Sequence, residues 1–407
     1  MRSLLPILVV LLAQLVSAPG AQAAEEARSP RIGLVLSGGG ARGIAHIGVL
    51  KVLEEMQVPI HYVTGTSMGS IVGSLYAAGY SPAQMEEIIS TTDWPEAFDD
   101  KTNRQDLSFR RKEDDLNFLT AAKLGVKDGG IAIPAGFIQG QKLNLLLRRL
   151  LLTATEVKEF DDLHLPFRAV STNLIDGSEV VHSSGDLATA VRASMSIPGA
   201  FQPVAWEGKL LVDGMLVNNI PIELAFDMGA DIVIAVDVGT PLRTKDELSS
   251  AVAVADQVLS IATDRMADIQ RNQLRRQDLL ITPALEGYGA ADFEKGAEIV
   301  PIGERAALAS ADRLQALRAS DEEWTDFLAK QRHGQAKVPF VDRVEFENDS
   351  QIRDEVILAR LGDHGGKPLD LESLEADMAE IHGSDIYERV DYALDQTGEE
   401  TVLKISA

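Results

Sequence analysis

Ser67 stands between two glycines in Gly65-Thr66-Ser67-Met68-Gly69. This is the G-x-S-x-G spacing that sets a nucleophilic hydroxyl on a tight strand-to-helix corner. The flanking positions Gly65, Thr66, Met68 and Gly69 form the elbow, and the two glycines let strand and helix approach closely. The apolar run from Ile71 to Ala78 predicts a helix whose positive N-terminal end faces the serine. One βα unit earlier, a second turn reads Gly38-Gly39-Gly40-Ala41-Arg42-Gly43. Its backbone N–H groups suit an oxyanion hole, and Arg42 would add positive charge nearby. The same glycines also fit the dinucleotide fingerprint G-x-G-x-x-G. That fingerprint needs an acidic residue near the end of the second strand, and the strand here ends in Thr64-Gly65-Thr66-Ser67. A P-loop is excluded because the Lys-Ser/Thr ending is missing. A serine hydrolase is the better reading.

A serine hydroxyl needs a base. In proteins with this elbow the usual order is Ser, Asp, His. None of the seven histidines stands where that order wants one. His333 falls in a polar connection, and His364 and His382 in the acidic tail. His182 sits on a hairpin, and His46 reads as a packing residue of the first helix. Three aspartates precede a glycine: Asp128, Asp176 and Asp213. Asp128 lies in a polar loop and Asp176 in a hairpin turn. Asp213 ends an apolar strand and opens a loop, Gly-Met-Leu-Val-Asn-Asn-Ile-Pro. Such a carboxylate belongs on the rim where α/β sheets place their sites, and partial burial would raise its pKa toward neutrality. From spacing alone Asp213 remains a candidate rather than an assignment.

The elements that must hold these residues follow from periodicity. Ile32 to Leu36, Tyr62 to Thr64, Phe167 to Asn173, Leu210 to Val212, Asp231 to Val238 and Asp278 to Ile281 read as strands. Helical patterns between them include Ile44 to Leu53, Leu145 to Leu152, Ser249 to Gln277 and Ile302 to Leu317. Strands alternating with helices imply an α/β fold with a mainly parallel central sheet covered on both faces. Residues 92 to 118 read as an exposed connection. A hydrolase domain over 30–318 is followed by a linker over 319–337 and a small α+β domain over 338–407. The pattern of that last domain is β-α-α-β-β.

The chain has 407 residues, of which 45% are hydrophobic and 25% charged, as in globular proteins. Net charge is −24, and residues 338–407 hold 18 acidic against 6 basic residues. Such a surface does not suit nucleic acid. There are no cysteines, which excludes disulfides, a thiolate metal site and a cysteine nucleophile. Residues 1–23 pair Arg2 and an apolar run, Leu4 to Val16, with a small-x-small site, Ala21-Gln22-Ala23. That predicts a secretory signal peptide and an exported chain.

Four motifs in order, Gly38 to Gly43, Gly65 to Gly69, Ala193-Ser194-Met195-Ser196-Ile197-Pro198 and Asp213-Gly214, resemble those of patatin-like phospholipases. The resemblance runs from about Arg31 to Leu317. It implies a three-layer patatin-like fold and a Ser–Asp dyad, with Ser67 as nucleophile and Asp213 as its direct base. It implies the glycine-rich turn as oxyanion hole, and no metal or organic cofactor. The substrate it implies is a phospholipid or other fatty-acyl ester, met transiently at a membrane surface. The tail is similar to a POTRA domain. Patatin and POTRA behind a signal peptide resemble bacterial secretion proteins that end in an outer-membrane β-barrel. The sequence stops at Ala407, where such a barrel would begin. The expectation is a periplasmic, outer-membrane or secreted lipid acyl hydrolase. Its tail would serve secretion or docking to a barrel or assembly partner, by β-augmentation for instance. A binding module with the hydrolase as passenger is the rival reading. A dinucleotide binder is the third.

Overall fold

In a computed structural model, the structure describes residues 29–99, 125–127, 130–132, 136–239, 241–332, 338–348, 353–384, 387, 389–398 and 400–407. Residues 1–28, where a signal peptide was expected, and residues 100–118 of the expected polar connection lie outside the described residues.

Continuous apolar runs become strands buried on both faces. β1 (Ile32–Leu36) is buried at every position and lies between β2 (Tyr62–Thr66) and β7 (Ile232–Val236). Leu34 is level with Val63 on one side and Ile234 on the other, all three strands parallel. Next to β2 runs β3 (Phe167–Asn173), also parallel, and next to β7 runs β8 (Leu279–Ile281). Three antiparallel strands complete an eight-stranded sheet. They are β4 (Glu179–His182), β5 (Val204–Trp206) and β6 (Lys209–Asp213). The order is β8-β7-β1-β2-β3-β6-β5, with β4 also on β3.

Alternation along the strands separates two apolar layers. Leu34, Leu36, Ile234 and Val236 join the core formed with α1 (Ala45–Glu55), α2 (Met68–Ala77) and α6 (Gly296–Leu308). Val35, Val233 and Ala235 face the opposite way, toward the helix Ile222–Asp227 and Ala267 of α5 (Ala251–Arg271). Helix, sheet and helix make the three layers expected for an α/β domain.

Some boundaries differ from the sequence reading. The sequence reading placed a helix over Ile302 to Leu317, yet α6 starts at Gly296, runs through Pro301 and ends at Leu308. The proline sits inside the helix, past its first turn, and forfeits one backbone bond. The stretch read as a linker, 319–337, holds a helix, α7 (Asp321–Gln331). Ser320 and Glu323 form a capping box at its start, and buried Trp324 stacks on Phe327 with ring centres 5.0 Å apart. Ser-x-x-Glu ahead of an apolar position was a readable start signal.

The C-terminal region forms its own apolar core around Leu374, Met378, Ile381, Leu403 and Ile405. β10 (Arg343–Glu347) pairs in parallel with the last strand, β13 (Glu400–Ser406), which forms an antiparallel hairpin with β12 (Asp391–Thr397). The sequence pattern calls for a single first strand in this region. It is broken at Asp342, and its first piece, β9 (Phe340–Val341), pairs instead with β11 (Lys367–Pro368). Two helices, α8 (Asp354–Leu358) and α9 (Leu371–Gly383), complete the β-α-α-β-β order. Among the described residues no helix is long and apolar enough to cross a membrane.

Candidate active site

Ser67 sits between β2 and α2 with φ 54° and ψ −124°, in the left-handed half of backbone space. A non-glycine residue held there costs about 1–3 kcal/mol and persists only where its surroundings enforce it. Three contacts do so. The Ser67 N–H donates to Ser194 Oγ at 3.0 Å. Its carbonyl accepts Ser70 N–H at 2.9 Å and Ser70 Oγ–H at 2.7 Å. Gly69 lets α2 pass over the end of β1, where a Cβ would stand 2.1 Å from the Leu36 carbonyl oxygen.

Asp213 reaches the same point from the opposite direction. β4 occupies one edge of β3 without a break, with Val170 level with Val181 and Ser171 with Val180. The other edge is shared end to end by two strands. β2 runs up it and stops with Thr66 beside Val170. β6 runs down it and stops with Asp213 beside Ser171. The seven-residue β3 overhangs the parallel strands, so an antiparallel strand can end at their carboxyl rim. The sequence argument thus placed Asp213 on the correct rim, but it did not foresee that the strand arrives antiparallel. Gly214 continues so closely under this junction that a Cβ would lie 2.4 Å from Val170 O and 3.0 Å from Thr66 Cγ2.

The Asp213 carboxyl is fully buried. Oδ1 accepts the Met215 N–H at 2.9 Å. Oδ2 has no hydrogen bond of ordinary geometry. The Ser67 hydroxyl is the one side chain that acts on this carboxyl, and it lowers the pKa. A long or bent hydrogen bond is usual in an unliganded catalytic pair and tightens when substrate binds. Burial dominates the balance and raises the Asp213 pKa to about 7, with the Met215 amide and the Ser67 hydroxyl pulling the other way. No lysine or arginine contributes. The backbone on either side is anchored: Asp213 N–H donates to Ser196 O at 2.9 Å, and Thr172 Oγ–H to Asp213 O at 2.8 Å.

The glycine-rich turn lies directly against the serine, since a Cβ on Gly38 would approach Ser67 Cβ to 3.0 Å. Not all of its amides are available. Gly38 N–H donates to Asn219 O at 3.0 Å and Ala41 N–H to Ala290 O at 2.8 Å. From Gly40 to Ile44, through Gly43, the chain winds into a 3-10 helix. The amides of Gly39 and Gly40, at its open start, have no intrahelical acceptor. Arg42 corrects a sequence expectation. Its guanidinium does not add charge to the site. It donates to the carbonyls of Val238, Gly239, Leu285 and Tyr288 at 2.6–2.9 Å, clamping two loops behind the turn.

Among the described residues no histidine acts on the Asp213 carboxyl. His46 Nε2–H donates to Ser37 O at 2.8 Å, and burial lowers its pKa to about 4, so the ring is neutral. His182 lies 2.9 Å from Ser171 Oγ and edge-on to Trp206, and burial lowers its pKa to about 4 as well. Asp176 is an exposed turn residue bonded to Ser178, and Asp128 lies outside the described residues. Among the described residues no group of three or more histidine, cysteine or carboxylate side chains is placed to hold a metal.

Comparisons with known proteins bear on the same region. Residues 34–226 match the family model of patatin-like phospholipases. Lysophospholipase NTE1 of Coccidioides immitis is 31% identical over 306 residues, which are 70% of this chain and 18% of that protein. Patatin-like phospholipase domain-containing protein 6 of Homo sapiens is 36% identical over 215 residues, 52% of this chain and 14% of that one. The chain thus spans less than a fifth of the length of these curated relatives. Among solved structures, VipD from Legionella pneumophila overlays with a TM-score of 0.39 at 16% identity, covering 72% of this chain and 67% of that one.

Proposed function

We propose that the patatin-like phospholipase domain this chain carries hydrolyses the fatty-acyl ester of a phospholipid or lysophospholipid through Ser67 and Asp213. One observation carries the reading. Two strands meet end to end on β3, bringing a serine of positive φ to a buried carboxyl that has no cationic partner.

The chemistry follows from that geometry. The ionised Asp213 accepts the Ser67 proton as Oγ attacks the ester carbonyl carbon. The carbonyl oxygen becomes an oxyanion, received by the Gly39 and Gly40 amides and the N-terminal end of α2. The intermediate collapses, and protonated Asp213 returns the proton to the departing alcohol oxygen. Water then enters, gives its proton to Asp213 and attacks the acyl carbon. Collapse of this second intermediate releases the fatty acid as protonated Asp213 returns the proton to the departing Ser67 Oγ, restoring both side chains. A base with a pKa near working pH suits both proton transfers.

The test is hydrolysis of a fluorogenic fatty-acyl ester by the purified chain. Ser67→Ala and Asp213→Asn are each expected to abolish it. Full rate in Asp213→Asn would remove the dyad.

Export rests on residues 1–23, and N-terminal sequencing of the mature protein checks it by reading a start near residue 24. A POTRA-like role for the tail, in secretion or outer-membrane docking, rests on its β-α-α-β-β order. Deleting 338–407 should then alter localisation, measured by cell fractionation.

A further inference from the structure

One buried cation ties the rim of this site to the C-terminal domain. Arg148 lies on α3 (Gln141–Leu150), with its side chain 7% exposed. Its Nε and Nη2 donate to the two oxygens of Asp391, at the start of β12, at 2.5 and 3.0 Å. Nη1 donates to Asp186 Oδ2 and Nη2 to Thr189 Oγ1, both at 3.2 Å. Around this fork Asn144 donates to Asp391 at 2.8 Å, and the Gln141 amide exchanges hydrogen bonds with the Val390 backbone.

Asp186 is also the N-cap of α4 (Leu187–Ser194), accepting the Thr189 N–H at 2.8 Å. The other end of α4 touches both members of the dyad. Ser194 Oγ accepts the Ser67 N–H and donates to Val170 O at 2.6 Å, beside the strand junction. Two residues on, Ser196 O accepts the Asp213 N–H, while Arg192 Nη1 holds Ser196 Oγ at 2.6 Å. α4 is therefore a short rigid rod, about 12 Å long. One end is held by the C-terminal domain through Arg148, and the other fixes the backbones that present the hydroxyl and the carboxyl.

We propose that the C-terminal domain is a positioning part of this active site: Asp391, acting through Arg148, Asp186 and α4, holds Ser67 and Asp213 in register. The proposal rests on the hydrolase reading above and adds a role to a domain that reading treats as a transport or docking module. Without Asp391, a buried guanidinium keeps only the Asp186 side of its fork and must shift or admit water. That movement lands on the cap of α4. Catalytic geometry is sensitive to such displacements, because small misplacements of reacting groups cost rate rather than binding.

The experiment is steady-state hydrolysis of the fluorogenic ester by full-length Asp391→Asn, Ser194→Ala and the double variant, with thermal unfolding alongside. Asp391→Asn is expected to lower kcat about tenfold with KM unchanged. The double variant should be little worse than the poorer single, because both act on one element. Lys158→Ala removes another contact between the domains, to Asp395 at 2.8 Å, without touching α4, and should leave kcat at the wild-type value. Wild-type kcat in Asp391→Asn overturns the proposal. So do losses that multiply in the double variant, or an equal loss in Lys158→Ala. If Asp391→Asn does not fold, Thr189→Ala loosens the same junction and is judged by the same criteria. Labelling by a fluorophosphonate separates this proposal from the hydrolase reading. Wild-type chain that labels, and Ser67→Ala that does not, sustain the nucleophile even where Asp391→Asn keeps full rate.

Discussion

Two aspartates stand at the carboxyl rim of the same sheet and have opposite surroundings. Asp237 follows β7 and is 5% exposed. Its Oδ2 takes the Arg271 Nε–H at 2.7 Å and its Oδ1 the Gly239 N–H at 2.9 Å. Asp213 ends β6, is fully buried, and receives one backbone N–H and the serine hydroxyl, with no cation. A carboxylate matched with a guanidinium is a charge-paired structural contact. A carboxylate buried without one is costly to ionise, and its pKa rises. The rim therefore contains one carboxyl paired with Arg271 and one, the proposed base, that has no cation beside it.

The largest expected effect is on rate. Asp213→Asn should cost at least about a thousandfold in kcat, as loss of one member of a catalytic unit does. Asp237→Asn should stay within about tenfold, since Asp237 performs no proton transfer. Both are read in the same ester assay, and comparable losses would erase the contrast.

The stability effects should run the other way. Asp237→Asn leaves Arg271 with its exposed partners Asp264 and Asp268 and should cost about 1–3 kcal/mol in chemical denaturation. Asp213 has its pKa raised by burial from 3.8 to about 7. Between those values the folded chain holds a proton that the unfolded chain has lost. Stability from this group is therefore full below about pH 4 and is lost as pH rises to about 7. Asn carries no such charge. Asp213→Asn should melt higher than wild type at pH 8, with the gap closing as pH falls. A lower Tm at pH 8 would contradict the buried, unpaired carboxyl.

The smallest effect concerns His46. Its ring bonds a backbone carbonyl under the turn and is already neutral. His46→Gln should change the rate by less than about tenfold, below what a general base contributes.

Much of this site was legible in one dimension because its signals are local. Gly65 to Gly69 announces the elbow, Gly38 to Gly43 the turn before it, and an apolar strand ending in Asp213-Gly214 the candidate base. What stayed hidden depends on contacts between distant segments. The abutment of β2 and β6 on one edge of β3 is a matter of register, and nothing near Asp213 shows that its strand runs antiparallel. Arg42 lies four residues from Gly38, yet its partners are carbonyls about 200 positions on, so the site charge inferred from proximity was misplaced. The Arg148–Asp391 junction spans 243 positions between a helix and a strand that each read as ordinary. Helix α7 is the converse case, a local capping signal passed over because the surrounding composition read as a linker.

The most direct test of the buried, cation-free base is the pH dependence of kcat/KM for the fluorogenic ester. The rate should depend on an ionised Asp213 and rise through a single limb with its midpoint near pH 7. A limb near pH 4, the range of an ordinary carboxylate, would mean that Asp213 is not the base or is not buried as described.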